Sequence, residues 1–74
     1  MVEVFKTNVQ DQHHANMLLG LIHQNFREYK ANFDLEDCDN ILRVASATEF
    51  IRAACLIQLL QDSGFYAEVL PDEF

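Results

Sequence analysis

The 74 residues predict an α+β fold of the ferredoxin-like kind, a four-stranded antiparallel sheet with two helices on one face. Three observations carry this. Two stretches repeat apolar residues at helical spacing, four others are β-branched or aromatic with strand-like patterning, and the two types follow one another as strand, helix, strand, strand, helix, strand. The length suits a single domain spanning residues 1–74, and half of the residues are hydrophobic, enough for a packed core.

The first strand is expected over Val2–Val9, where Val2, Val4, Phe5, Thr7 and Val9 favour extended backbone. Asp11 is a good helix N-cap, and Ala15, Leu18, Ile22 and Phe26, widened by Leu21, form the apolar stripe of a helix from about Gln12 to about Phe26. From Tyr29 the period becomes two. Tyr29, Ala31, Phe33 and Leu35 share one face, whereas Lys30, Asn32 and Asp34 share the other, as in a half-buried strand. Turn formers fill Glu36–Asn40, and Ile41–Ala45 resumes the alternation, so these two strands should form a hairpin.

Ser46-Ala47-Thr48-Glu49 has the form of a capping box, which predicts a second helix starting there and carrying Phe50, Ile51, Ala54, Ile57 and Leu60, with Leu56 and Leu59 beside them. Gly64 is the expected left-handed C-terminal cap, and Phe65–Leu70 the last strand, closed by Pro71. Right-handed crossovers would put the third strand between the first two and bring the Gln10–His14 loop, the Glu36–Asn40 turn and the Ser63–Tyr66 connection to one end of the sheet. Met17, Leu19 and Leu56 look surplus to one buried face, which raises self-association or a protein partner as an expectation.

Charge narrows the range of functions. Twelve acids against five bases leave a net charge of −7, which repels nucleic acid and anionic lipid, and the bases Lys6, Arg27, Lys30, Arg43 and Arg52 are scattered along the chain. Neither nucleic acid nor a membrane is expected as a partner. The sequence has no signal-peptide pattern and no apolar run of membrane-spanning length, so a cytoplasmic location with Cys38 and Cys55 reduced is the default expectation. Cys55 reads as a small core residue.

The chain resembles the heavy-metal-associated domain family, the small copper-chaperone and metal-ATPase N-terminal modules. The residues that carry the resemblance are Ala15, Leu18, Leu21 and Ile22 after the first loop and the ending Leu59-Leu60…Gly64-Phe65-Tyr66-Ala67-Glu68-Val69, which is similar to the family's Gly-Tyr/Phe-x-Ala strand entry. The resemblance implies the same ferredoxin-like fold, with Phe65 and Tyr66 beside the first loop. The family's Met-x-Cys-x-x-Cys loop falls on Val9, Asp11 and His14 when the two are aligned on Ala15. Both thiols are therefore replaced, and because Cu(I) selects soft thiolates, Cu(I) chaperone chemistry does not transfer.

Two readings of the loop remain open. In one, Asp11 and His14, three residues apart, converge on a divalent transition metal such as Zn(II), Ni(II) or Cu(II), joined by His13 if the loop is not helical. In the other, Asp11 caps the helix, the histidines are solvated, and the chain is a non-enzymatic binding or adaptor module resembling heavy-metal-associated domains without their thiolate site. Cys38, flanked by Asp37 and Asp39, is either an exposed turn cysteine, a contributor to a composite site or a redox-sensing thiol. Asp34, Glu36, Asp37 and Asp39 form either a solvated hairpin or a dock for a basic partner. His23 is expected at a helix edge. A Cys38–His14 nucleophile pair has no third group or oxyanion-hole signal beside it, so no enzyme is expected.

Overall fold

A computed structural model of the protein describes residues 1–36, 38–47 and 50–70. Its elements are β1 (Val2–Thr7), α1 (Gln12–Asn25), β2 (Tyr29–Asp34), β3 (Ile41–Ser46), α2 (Ala53–Asp62) and β4 (Ala67–Val69). The strands form one sheet in the order β2-β3-β1-β4, each neighbouring pair antiparallel. This is the expected ferredoxin-like α+β arrangement.

Strand register decides which side chains meet. Phe5 lies opposite Leu42 on one side and Val69 on the other, Leu42 opposite Phe33, and Val44 opposite Ala31. Residues paired in this way share a face, and Phe5, Leu42, Val44 and Ala31 are buried. The helices close over that face with Ala15, Leu18 and Ile22 of α1 and Leu56 and Leu60 of α2, all buried in one cluster with it. The period-two strand and the i, i+3/i+4 helix patterns thus converge on one core.

The register also places the connections. Lys6 lies opposite Ile41 and Glu68, and Ile41 opposite Asp34, so the end of β1, the β2–β3 turn and the entry to β4 share one end of the sheet, as expected. The α1–β2 and β3–α2 connections lie at the other end. Tyr29, the first residue of β2, is opposite Ser46, the last of β3, and its hydroxyl accepts a 2.8 Å hydrogen bond from the Arg52 N–H.

Several local expectations need correction. The second helix does not start at Ser46. Ser46 is a buried strand residue whose N–H and C=O bond to the carbonyl and amino group of Met1, at 2.9 and 3.1 Å. Those backbone groups prolong the sheet, and α2 begins at Ala53 with Arg52 at the N-cap and no side-chain cap bond. Glu49 and Thr48, the rest of the expected capping box, lie outside the described residues, as do Asp37 and Pro71.

Because the helix begins late, Phe50 and Ile51 precede it: Ile51 is buried but Phe50 is 73% exposed. The core-facing stripe of α2 is Leu56 and Leu60, so Leu56 is a core residue and not surplus, while Ala54 and Cys55 are exposed. The first and last strands in the chain are shorter than the sequence implies, because β1 ends at Thr7 and β4 spans Ala67–Val69. Val9 is still fully buried just beyond β1.

α2 ends as its glycine predicts. Gly64 adopts φ 92°, its N–H bonds to the Gln61 carbonyl at 3.0 Å, and the Phe65 N–H bonds to the Leu60 carbonyl at 2.8 Å. This pair of bonds is the Schellman arrangement, which satisfies carbonyls the helix would leave open. It also turns the chain so that Phe65 and Tyr66 arrive beside the β1–α1 loop.

Candidate functional site

The loop after β1 is tied down from two sides. The Thr7 N–H bonds to the Asp39 carbonyl at 3.2 Å, and the Thr7 hydroxyl donates to the Asn40 carbonyl at 2.6 Å while accepting from the Val9 N–H at 3.2 Å. Asn40 itself has φ 50°, a left-handed conformation that asparagine tolerates. On the other side Asn8 exchanges two bonds with Tyr66: its N–H donates to the Tyr66 carbonyl at 3.3 Å, and its side-chain oxygen accepts from the Tyr66 N–H at 2.8 Å. A strand end, a hairpin turn and a helix-to-strand turn are joined here.

Asp11 caps α1, its Oδ1 accepting from the His13 N–H at 3.0 Å. Its Oδ2 lies 3.5 Å from His14 Nδ1, so the i, i+3 spacing does bring carboxylate and imidazole together. Both side chains are about half exposed, which leaves them hydrated. The His14 ring packs against Phe65 with centroids 5.3 Å apart, and the His13 ring is 5.8 Å from that of His14. Phe65 and Tyr66 therefore stand beside the first loop, as the resemblance implied.

Chemically, Asp11 and His14 supply two of the four ligands that a tetrahedral metal needs, with one carboxylate oxygen already used by the cap. Among the described residues no three of His, Cys, Asp and Glu come together as a potential ligand set. Cys38 lies in the turn at the same end and is exposed; Cys55 is exposed on α2, and both are free thiols. Lys6 reaches to 3.9 Å from Asp39, an exposed pair of little energetic value. Tyr66 donates a short hydrogen bond from its hydroxyl to Glu68, and this bond to a carboxylate holds the phenol above its usual pKa.

His23 has a definite task. Its Nε2 accepts the Ala31 N–H at 3.1 Å, which requires the neutral tautomer with the proton on Nδ1. β2 is an edge strand, so this ring occupies a backbone donor that no strand takes.

A second concave region was not anticipated from the sequence. Between the helices, a cleft of about 400 Å³ is lined by Phe26, Arg27, Glu28, Tyr29, Arg52 and Cys55, among others. It shares Asn25, Phe26 and Cys55 with a neighbouring cleft of about 440 Å³ that continues past Leu21 and Leu59 to Asp62 and Ser63. Phe26 and Tyr29 stack at its head, 5.0 Å between centroids and 11° between planes. Arg27 and Arg52 are 25 positions apart, and the pairing of Tyr29 with Ser46 and the bond from the Arg52 N–H to the Tyr29 hydroxyl bring them together, so no sequence motif could announce the site. No imidazole is among the residues lining either cleft.

Charge is partly sorted along the strands. Arg27, Lys30 and Arg52, with Glu3 and Glu28 among them, lie toward the end where β2 starts and β3 stops, while Asp11, Asp34, Glu36, Asp39 and Asp62, with Lys6 among them, lie at the opposite end. Among the described residues, no helix is long and apolar enough to cross a membrane. No family model matches the chain, and no curated protein or solved structure matches it either.

Proposed function

We propose that the protein is a non-enzymatic binding module, one that resembles a heavy-metal-associated domain with the thiolate pair of its loop replaced. The observation that carries this reading is the state of Asp11: its carboxylate caps α1 and faces a single imidazole, and no third His, Cys, Asp or Glu among the described residues joins that pair as a ligand set. A hydrated two-ligand pair holds a divalent ion weakly unless water or a second chain completes the shell. A cytoplasmic setting fits two exposed free thiols, which a reducing compartment keeps from cross-linking.

The experiment is titration with Zn(II), Ni(II) and Cu(II) while following the imidazole NMR signals of His13 and His14, together with elemental analysis of the purified protein. The expected result is no stoichiometric metal and no saturable shift of either ring up to millimolar ion. One tightly held metal per chain would overturn the proposal in favour of a divalent-metal binder using Asp11 and His14, with or without His13. That second reading draws its support from the 3.5 Å approach of Asp11 to His14.

A further inference from the structure

We propose that the helix face of this protein is an interface for a second copy of the same chain, formed by α2 lying antiparallel on its symmetry mate. This rests on reading the chain as a binding module and names the partner. The groove beside α2 carries Arg27 and Arg52 with Glu28 beside them, a net positive charge, at one end and Asp62 at the other, with Gln58, Leu59 and the exposed Cys55 between them. A two-fold axis across the middle of the helix sets each cationic end against the acidic end of its mate, so the charge pattern is complementary to itself. A chain with a net charge of −7 must offset general repulsion to meet its own kind, and this face supplies two local cation-to-carboxylate pairings for that purpose.

The stretch between the charged ends is suited to close approach. Ala54 and Cys55 in the first turn of α2 are small and exposed, and Leu21, Phe26 and Leu59 are partly buried, so docking would remove the rest of their apolar surface from water. A standard interface covers about 800 Å² per partner. That is roughly a sixth of the 4955 Å² surface of this chain, within the reach of one face formed by two helices.

Charge reversal tests the pairing without endangering the fold. Arg52→Asp places a good N-cap where α2 now lacks a side-chain cap bond, and Asp62→Arg places a cation in the last turn, where the helix dipole favours it. Arg52→Asp should therefore leave α2 intact or firmer, and Asp62→Arg, which gives up the exposed bond from Gln58 Nε2 for a favourable dipole contact, should leave it intact, while either sets like charges together in the dimer. Sedimentation equilibrium over a concentration series should show the wild type in monomer–dimer exchange, each single variant weakened at least tenfold, and the double variant Arg52→Asp/Asp62→Arg restored. A wild type that stays monomeric at all concentrations, single variants that dimerise normally, or a double variant that is not restored would each overturn the proposal. If a monomeric protein shows saturable shifts around Arg27 and Arg52 on titration with an acidic peptide such as oligoglutamate, the groove serves a foreign acidic partner instead. Metal occupancy at the loop would sink the binding-module reading without changing these sedimentation results, so the two failures can be told apart.

Discussion

Asp11 shows how one side chain can look like chemistry in the sequence and act as structure in the fold. Its Oδ1 accepts from the His13 N–H, so Asp11→Ala should cost about 1 kcal/mol and lower the melting temperature, whereas Asp11→Asn, which keeps an acceptor, should cost much less. Thermal unfolding followed by far-UV circular dichroism separates the two variants. Tyr66 gives a signed pH effect. Its hydrogen bond to Glu68 raises the folded-state pKa above the unfolded value, so the protonated phenol favours the fold. That contribution is fully present below the unfolded pKa of about 10 and is lost as pH rises through the higher folded value. Denaturant titrations from pH 9 to 12 should show this alkaline loss in the wild type, and Tyr66→Phe should lack the part due to this group.

At the scale of elements, the contrast between the two glycines is testable. Gly64 holds φ 92°, so Gly64→Ala should destabilise by about 1 kcal/mol or more. Gly20 lies within α1 with open space where a Cβ would go, and Gly20→Ala should stabilise by roughly 0.5–1 kcal/mol. Paired urea melts of the two variants should move in opposite directions. The sequence made these positions legible because a glycine closing an apolar period and a glycine inside one have different meanings.

The same logic read α1 to within a residue at its C-terminal end and fixed β2 from Tyr29, Ala31 and Phe33. It misplaced the start of α2 because Ser46-x-x-Glu49 imitates a capping box, whereas the backbone of Ser46 is claimed by Met1 some 45 positions away. It also put Cys55 in the core, because the apolar arc of α2 is wide enough to be turned either way. Only packing against the sheet chose Leu56 and Leu60. The loop site was legible as a place, since Asp11 and His14 do meet there. The interhelical groove was not, because its arginines are joined by topology alone.

Over the whole molecule, the sheet has two edge strands, β2 and β4, and they are guarded differently. β4 is only three residues long, which leaves little for another strand to template on. β2 is six residues long and fairly regular, and the guard there is His23, whose ring nitrogen already takes the Ala31 N–H. A foreign strand that tried to extend the sheet along β2 would have to displace that ring first. With the Tyr29 N–H already bonded to the Phe26 carbonyl, part of the guard on this edge thus resides in one imidazole. Removing it by His23→Ala should shorten the lag before thioflavin-T-positive aggregates appear on agitation, by more than its effect on melting temperature alone would predict.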